Sequence, residues 1–282
     1  MKIQSFNIAN FKVDGGAMFG VVPKVLWNKA YPADENNLIP LSLRTLVVET
    51  GGRVILTDNG FGDKQSEKFF SHFHIFGGDG LISGLAKMGY KPEDITDVIL
   101  THLHYDHCGG GVKRNSSGEF ELVFPNARYH VSKAQWESAL NPNAREADSF
   151  LEENMIPMRD LGALNLIEKE GGIAPGVEIR FFNGHTRGQI VPIFSLPSGK
   201  KLVFAADLFP STAHIHLAWN MSYDVEPLVT MQEKEAFLNE ALQNGYILYY
   251  QHDYFTECSS LIQTPKGIRA GERMTLDEAL AI

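Results

Sequence analysis

The chain has 282 residues, of which 44% are hydrophobic, 11% aromatic and 21% charged. This balance supports a sizeable buried core, and an intrinsically disordered chain is not expected. The formal net charge of −9 argues against a nucleic-acid-binding surface, because such a surface needs a clustered excess of lysine and arginine. The length allows one large domain or two small ones, and we predict a single domain over residues 1–282.

The N-terminal stretch and the cysteines indicate the compartment. Polar residues interrupt every apolar run in residues 1–16, so this stretch resembles neither a signal peptide nor a transit peptide. No uninterrupted apolar run reaches the length of about 18 residues that a membrane span needs. With two cysteines, Cys108 and Cys258, a disulfide framework is not expected. We therefore predict a cytoplasmic protein without membrane contact, whose thiols pack as small apolar side chains.

The first half of the chain predicts a hairpin, a helix and a buried strand. Apolar, β-branched runs at residues 43–49 and 53–57 flank Gly51-Gly52, a pattern typical of a β-hairpin. A helix is predicted over residues 80–87. The apolar run at residues 95–100 predicts a buried strand that leads directly into a histidine cluster.

The second half of the chain also predicts strands in hairpins with helices between them. Ser132 is the predicted N-cap of a helix over residues 133–140, and an amphipathic helix is predicted over residues 232–243. Strands are predicted at residues 127–131, 177–182, 191–196, 201–205 and 246–250. Because the strands come in sets separated by helices, the pattern predicts the α/β class, with sheets covered by helices.

A dense cluster of potential metal ligands follows the strand at residues 95–100. The segment from Thr101 to Gly110 reads THLHYDHCGG and contains His102, His104, Asp106 and His107. Neutral imidazole is a good ligand for zinc and similar ions, and a carboxylate adds the charge that holds a second ion. We expect Gly109 and Gly110 to let the backbone turn tightly below the ions. The alternative is a solvated histidine-rich turn, which this density of ligands disfavours.

Three further side chains are placed to complete the site. His185, Asp207 and His252 each come directly after an apolar, strand-like run, where side chains project from a sheet edge. Taken singly, each is typical of a turn or capping residue. Four ligands cannot complete two metal shells, so these three together with the first cluster predict a site for more than one ion.

This set of residues resembles the ligand pattern of the metallo-β-lactamase superfamily, and the resemblance spans residues 42–255. The segment Leu56-Thr-Asp-Asn-Gly60 is similar to the strand-end aspartate motif of that family, with Asn59 where a threonine is more usual. The resemblance implies a four-layer αββα sandwich of two similar halves, with the metals at the sheet edges between them. It also implies that Asp58 orients the histidine loop and does not bind metal.

By the same resemblance, the ligands divide between two divalent ions. The implied division is one ion on His102, His104 and His185, the other on Asp106, His107 and His252, and a bridge from Asp207. Zinc is the first candidate, and manganese, iron and cobalt are alternatives because nitrogen and oxygen ligands accept all of them.

The chemistry of such a site is hydrolytic. Two neighbouring ions lower the pKa of a bridging water, and the resulting hydroxide attacks an ester, lactone, thioester or phosphoester. Asp106 would orient this nucleophile and carry a proton to the leaving group. Cys108 is expected to pack beside the site, since the superfamily pattern places no ligand there.

The branch of the superfamily is indicated by Asp207 and by two segments. An aspartate at this position disfavours the β-lactamases that carry a cysteine there. Residues 13–23 and 206–214 resemble the quorum-quenching lactonase and methyl parathion hydrolase group. We therefore expect hydrolysis of a lactone or another small ester, with phosphotriesters as side substrates. A glyoxalase II-like thioesterase is the alternative, and a non-catalytic metal-binding sensor is the alternative from another class.

The substrate contacts are less well defined. Lactonases of that group carry a tyrosine three residues after the bridging aspartate, where it contacts the substrate carbonyl, and this chain has Pro210 there. The candidates for a substrate pocket are Met18, Phe19, Trp27, His214 and Tyr223. A packed core cluster is the alternative for the N-terminal residues, and the segment 18–27 serves equally as a homodimer contact. The expected partner is a small molecule.

Overall fold

The computed structural model describes residues 1–282 and contains two large β-sheets and nine α-helices. The strands, numbered in chain order, are β1 (Lys2–Asp14), β2 (Leu38–Thr50), β3 (Arg53–Thr57), β4 (Asp97–Ile99), β5 (Val112–Arg114), β6 (Phe120–Leu122), β7 (Arg128–Ser132), β8 (Leu164–Ile167), β9 (Gly171–Ala174), β10 (Val177–Phe182), β11 (Gln189–Ser195), β12 (Lys201–Phe204), β13 (Ile247–Tyr249), β14 (Cys258–Thr264) and β15 (Gly267–Met274). The helices are α1 (Gly15–Phe19), α2 (Lys24–Ala30), α3 (Glu67–Ser71), α4 (Leu81–Lys87), α5 (Tyr105–Cys108), α6 (Lys133–Leu140), α7 (Glu152–Asp160), α8 (Pro227–Gln243) and α9 (Leu276–Leu280).

The two sheets repeat one strand arrangement. The first sheet has the order β1-β2-β3-β4-β7-β8, and the second has the order β15-β14-β13-β12-β11-β10-β9. In the first sheet, the antiparallel pair β2 and β3 is followed by β4, which runs parallel to β3. In the second sheet, the antiparallel pair β11 and β12 is followed by β13, which runs parallel to β12. Parallel neighbouring strands end at the same edge of a sheet. The segments that follow β3 and β4 therefore meet at one edge of the first sheet, and those that follow β12 and β13 meet at one edge of the second.

Helices cover the outer face of each sheet, and the two sheets share a core. That core includes Leu46 and Ile99 from the first sheet and Phe204 and Tyr249 from the second, all fully buried. A second apolar cluster joins the first sheet to α4, α6 and α7, and a third joins the second sheet to α8. The result is a four-layer αββα sandwich, which confirms the predicted fold class.

Most predicted elements are present with small shifts in their bounds. The predicted N-cap is confirmed, because Ser132 Oγ accepts a hydrogen bond from Gln135 N at 3.0 Å at the start of α6. The predicted start of the helix over residues 232–243 is wrong. Helix α8 begins at Pro227, since a proline in the first turn needs no partner for a backbone N–H. None of the helices combines the length and apolar character that a membrane span requires.

The core between the sheets gives a stability prediction. Leu202→Ala should lower the free energy of unfolding by about 2–5 kcal/mol, because it leaves a cavity in that core. Leu202 is 0% exposed, whereas Leu228 at the start of α8 is 73% exposed. The matched Leu228→Ala variant should change the same quantity by less than about 0.5 kcal/mol. Urea unfolding followed by circular dichroism measures both, and equal losses would contradict the prediction.

Candidate metal centre

The seven predicted ligand side chains converge where strands of both sheets end. They come from the loop after β4 together with α5, from the loop between β10 and β11, from a 3-10 turn after β12, and from the segment after β13. Their ligand atoms form three overlapping groups, each spanning at most 4.8 Å: His102, His104 and His185; His102, His107 and Asp207; and Asp106, His107 and His252.

Asp207 lies between two sets of histidines and turns one carboxylate oxygen toward each. Its Oδ2 lies 3.2 Å from His185 Nε2 and 3.9 Å from His102 Nε2. Its Oδ1 lies 3.2 Å from His252 Nε2 and 3.7 Å from His107 Nε2. A carboxylate in this position is able to bridge two ions.

Two atoms at the centre, His102 Nε2 and Asp207 Oδ1, are buried without a hydrogen-bond partner. Buried polar atoms are normally paired, so these atoms indicate a site for a cation. Burial, assisted by the neighbouring histidines, lowers the pKa of His102 well below its usual value. Its imidazole is therefore neutral, which is the form that binds a metal. The set of imidazole nitrogens and carboxylate oxygens fits a divalent metal site.

The site histidines present one ring nitrogen to the centre and the other to a fixed acceptor. His185 Nδ1 donates to Asp224 Oδ1 at 3.0 Å. His252 Nδ1 donates to the Ser42 carbonyl oxygen at 2.9 Å. Contacts of this kind fix the tautomer and the direction of the ring.

Glu146 is the corresponding acceptor for His104. Its Oε1 lies 3.2 Å from His104 Nε2, which leaves His104 Nδ1 facing His185 Nε2 at 3.3 Å. Glu146 is 4% exposed and also accepts hydrogen bonds from Thr186 Oγ1 and Asn143 Nδ2. Although burial favours the neutral acid, the hydrogen bonds from His104 and Thr186 lower the pKa of Glu146 below its ordinary value.

Asp58 holds the histidine loop from below. It accepts hydrogen bonds from Thr101 N at 2.7 Å, from Thr101 Oγ1 at 2.8 Å and from His107 Nδ1 at 2.8 Å. Thr101 Oγ1 in turn lies 3.0 Å from His102 Nδ1. The φ of Asp58 is 57°, a left-handed conformation that aspartate tolerates better than most other residues. Through these contacts Asp58 is able to orient two histidines without reaching the centre.

Four residues that hold the histidine rings were missed in the sequence: Ser42, Thr101, Glu146 and Asp224. Ser42 acts through its backbone carbonyl, for which residue type carries no signal. Nothing in the residue pattern separates Glu146 or Asp224 from the other acids of their polar segments. Their contacts depend on the tertiary fold and are visible only there.

Gly109 and Gly110 allow a close backbone approach. The backbone turns tightly there, as predicted, in a 3-10 turn over Gly109–Gly111, but the φ of Gly109 is −67°, a value open to any residue. The glycines are therefore needed for space. A Cβ at Gly109 would lie 1.9 Å from the Phe61 carbonyl oxygen, and one at Gly110 would lie 2.1 Å from the Asn59 carbonyl oxygen. The loop after β3 therefore packs directly on the end of α5, which leaves no room for larger residues.

Comparison with known families assigns the chain. Residues 41–252, more than half of the 282 residues, match the family described as the metallo-beta-lactamase superfamily. The chain belongs to this superfamily. The matched range includes both the histidine loop and the segment after β13 that carries His252.

Solved structures share the fold of this chain over nearly its whole length. A structure described as a probable metal-dependent hydrolase from Staphylococcus aureus is 31% identical with a TM-score of 0.88, covering 97% of this chain and 96% of that chain. AidC, described as a dizinc quorum-quenching lactonase in complex with a product, is 20% identical with a TM-score of 0.76, covering 97% and 93%.

Among curated proteins, an N-acyl homoserine lactonase of Bacillus cereus is 27% identical over 162 residues. The match covers 54% of this chain and 58% of that protein. The chain therefore spans less than two thirds of the length of this superfamily relative.

Met18, Phe19 and Trp27 lie in a packed core, being 3%, 0% and 1% exposed. The Phe19 ring stacks on Trp27 and on His214, with centroids 5.1 and 4.8 Å apart. His214 Nε2 donates to the Met18 carbonyl oxygen at 2.8 Å. Because these side chains pack against one another, the structure favours the packed core cluster over a pocket wall for Met18, Phe19 and Trp27. Their burial also removes Met18, Phe19 and Trp27 from any dimer contact.

Other aromatic side chains border the centre. Tyr223 is 45% exposed, and its partial burial together with the charge of Asp106 raises the pKa of Tyr223 to about 12. Tyr105 on α5 packs against Phe69 and Phe73, with ring centroids 5.2 Å from each. Tyr223 and Tyr105 both lie near Asp106, whose charge raises the pKa of each. Tyr105 forms an aromatic wall with Phe69 and Phe73, and of these side chains the sequence predicted only Tyr223.

Both cysteines are free and buried, and neither belongs to a ligand group. The Cys108 thiol donates to the Leu103 carbonyl oxygen at 3.3 Å. Burial raises the pKa of Cys108, so the thiol stays protonated. Cys108 therefore packs beside the histidine loop, as predicted.

Carboxylates hold His107 in its charged form in the metal-free protein. Burial would lower the pKa of His107, but Asp106, Asp207 and Asp58 outweigh burial and raise it from 6.5 to about 10. A pKa raised in the folded state contributes stability that is fully present below the unfolded value of 6.5. That contribution is lost as the pH rises through about 10.

We expect the His107 contribution to the free energy of unfolding of the metal-free protein to fall as the pH rises from 6.5 to about 10. Burial lowers the pKa of Lys234 to about 7, which gives a slope of the opposite sign, so the quantity to compare is the difference between the wild type and the His107 variant. His107→Gln should lack this part of the pH dependence, because glutamine does not titrate. The exposed His72→Gln variant is the control and should keep it. Urea unfolding of chelator-treated protein at a series of pH values measures the effect. A His107→Gln profile parallel to that of the wild type would show the assignment to be wrong.

Proposed function

We propose that this chain is a hydrolase of lactones or other small esters that uses two divalent metal ions, with zinc as the first candidate. The observation that carries this proposal is the position of Asp207, whose two oxygens face different histidine sets. Two ions held there would lower the pKa of a shared water and polarise the substrate carbonyl. The proposed ligands are His102, His104 and His185 for one ion, Asp106, His107 and His252 for the other, and Asp207 for both.

Asp106 is the residue placed to carry a proton. Its side chain is 17% exposed, whereas those of His107 and His252 are 0% and 3% exposed, so Asp106 borders the open side of the centre. Its Oδ2 lies 3.5 Å from His107 Nε2 and 3.9 Å from His252 Nε2. One oxygen is thus able to remain with the histidines while the other accepts a proton from the attacking water and delivers it to the leaving oxygen.

The aromatic wall beside Asp106 supports a substrate with an apolar portion. Tyr105, Phe69 and Phe73 are each partly buried, and aromatic faces of this kind suit an acyl chain or an aryl group. The similarity to proteins named as lactonases supports lactones as the first substrate class. Aryl phosphotriesters suit the same wall and are the second class.

Tyr223 is the proposed donor to the substrate carbonyl, since Pro210 has no hydroxyl group. The next residue, Asp224, binds His185 Nδ1 at 3.0 Å, and Val225 N donates to the His185 carbonyl oxygen at 3.0 Å. These contacts hold the Tyr223 loop against the centre. With its pKa raised to about 12, the phenol remains a hydrogen-bond donor at neutral pH.

The wider setting follows from the same structure. We propose that the chain works as one domain, because one core cluster contains residues of both sheets. A cytoplasmic location is proposed because both thiols are free. For the proposed homodimer, the contact would use Val21 and Val25, which are 96% and 68% exposed.

The metal-loaded protein is expected to hydrolyse acyl-homoserine lactones or aryl phosphotriesters, and a chelator is expected to abolish the activity. Asp106→Asn at saturating metal should lower kcat by about 10²–10⁴-fold, because no group would then transfer the proton. The exposed Asp63→Asn variant should keep the wild-type kcat. A chromogenic or pH-indicator assay measures these rates.

Each contrary outcome points to a different alternative. No turnover of either substrate class would remove the proposal. Turnover of S-lactoylglutathione in their place would select the thioesterase. Binding of one ion or none, without turnover of any of the three substrates, would select the metal-binding sensor.

Tyr223→Phe should lower kcat/KM for the hydrolysed substrate by about 10²-fold, because it removes one donor to the developing oxyanion. Bound metal should be unchanged, since Tyr223 belongs to no ligand group. Tyr254→Phe is the matched control, because Tyr254 is 38% exposed and packs against Phe76 and Phe255. Steady-state kinetics on the three proteins provide the comparison. A Tyr223→Phe enzyme with wild-type kcat/KM would exclude this role.

A further inference from the structure

We propose that Glu146 is a positioning residue for one half of the metal centre. Glu146 determines which nitrogen of His104 faces the metal, and it sets the distance between His104 and His185. This inference rests on the proposed function, because it assigns a role within the same centre.

Asn143 holds the turn that carries Glu146 through hydrogen bonds that do not involve the histidine. Asn143 Oδ1 accepts hydrogen bonds from the backbone N–H groups of Arg145 at 2.9 Å and Glu146 at 3.1 Å. The backbone N–H of Ala147 donates to the Asn143 carbonyl oxygen at 3.0 Å. Asn143 Nδ2 then donates to Glu146 Oε2 at 3.1 Å. The carboxylate is therefore held on its far side and offers Oε1 to the centre.

Glu146 Oε1 joins the two halves of the sandwich. From the first half it meets His104 Nε2 at 3.2 Å, and from the second half it accepts a hydrogen bond from Thr186 Oγ1. Thr186 is fully buried and follows His185 directly in the chain. Since His104 Nδ1 and His185 Nε2 are 3.3 Å apart, a single carboxylate oxygen fixes the spacing of two proposed ligands of the same ion.

His104 needs such a partner more than the other site histidines do. It faces the centre through Nδ1, whereas the others face it through Nε2: His102, His107, His185 and His252. A neutral imidazole carries one N–H, and an acceptor on Nε2 keeps that hydrogen away from Nδ1. Without Glu146, the tautomer with hydrogen on Nδ1 becomes accessible, and that tautomer cannot bind a metal through Nδ1.

The test is the zinc affinity of Glu146→Gln. Glutamine has nearly the same shape, but its amide N–H₂ is able to face His104 Nε2 and stabilise the wrong tautomer. We expect one of the two zinc-binding events to weaken by about 10–100-fold, while the other keeps the wild-type affinity. Competition with a chromophoric chelator measures both events. The visible spectrum of the cobalt-substituted protein should change for one ion only.

The exposed Asp148→Asn variant is the matched control, because it removes an acid from the same segment and should keep both affinities. If Glu146→Gln does not fold, Thr186→Val removes one donor to the same oxygen and should weaken the same event. Wild-type affinities in the folded variant would overturn the inference. Equal weakening of both events would also overturn it, since that result indicates a general structural role.

The two proposals can fail separately. If the wild-type protein binds two zinc ions but hydrolyses none of the tested esters, and Glu146→Gln weakens one event, the proposed function fails and the inference stands. If Glu146→Gln keeps both affinities while the wild-type protein hydrolyses lactones, the inference alone fails. A nitrogen-15 spectrum of the zinc-loaded protein provides a direct check, because His104 should carry its hydrogen on Nε2.

Discussion

The structure depends on burying five imidazoles and a carboxylate at one point. The histidines of the site and Asp207 are at most 7% exposed, and burial penalises every charged form among them. Fixed acceptors bind the ring nitrogens that point away from the centre, as in His185 and His252. The ring nitrogens that point into the centre face one another and Asp207, and hydrogen bonds leave His102 Nε2 and Asp207 Oδ1 unpaired there. A cation relieves this arrangement, so the proposed metal binding and the stability of the loops are linked.

The sequence located the side chains that converge, because imidazoles and an acid directly after apolar strands are an uncommon pattern. It did not locate the residues that hold them, since Glu146 and Asp224 have ordinary neighbours along the chain. The aromatic residues show a second limit. Phe19 is a residue type typical of a pocket wall. Its ring is instead buried against His214, a residue far away in the chain that stacks on it. Such pairings arise only from the tertiary packing.

The fold was predicted largely through the family resemblance, and the local patterns explain which strands were missed. The hairpin of β2 and β3 keeps one register, so its apolar runs predict both strands from the sequence. Strand β1 changes register between Asn7 and Asn10, and β14 changes register between Ser259 and Leu261. A register shift reverses the phase of the alternation between buried and exposed positions, so no single period marks these strands.

The repeated strand arrangement places two aspartates at related positions with different contacts. The backbone N–H groups of Asp58 and Ala205 donate to the carbonyl oxygens that end β4 and β13, each at 2.9 Å, so these two residues are equivalent. Asp207 lies two positions after Ala205, the residue that is equivalent to Asp58. The residue with left-handed φ is Asp58 itself in the first half but Ala206 in the second. Asp58 remains under the histidine loop with both oxygens paired, whereas Asp207 extends between the histidine sets with Oδ1 unpaired. A shift of two residues thus separates a carboxylate that supports the loop from one that is able to bridge ions.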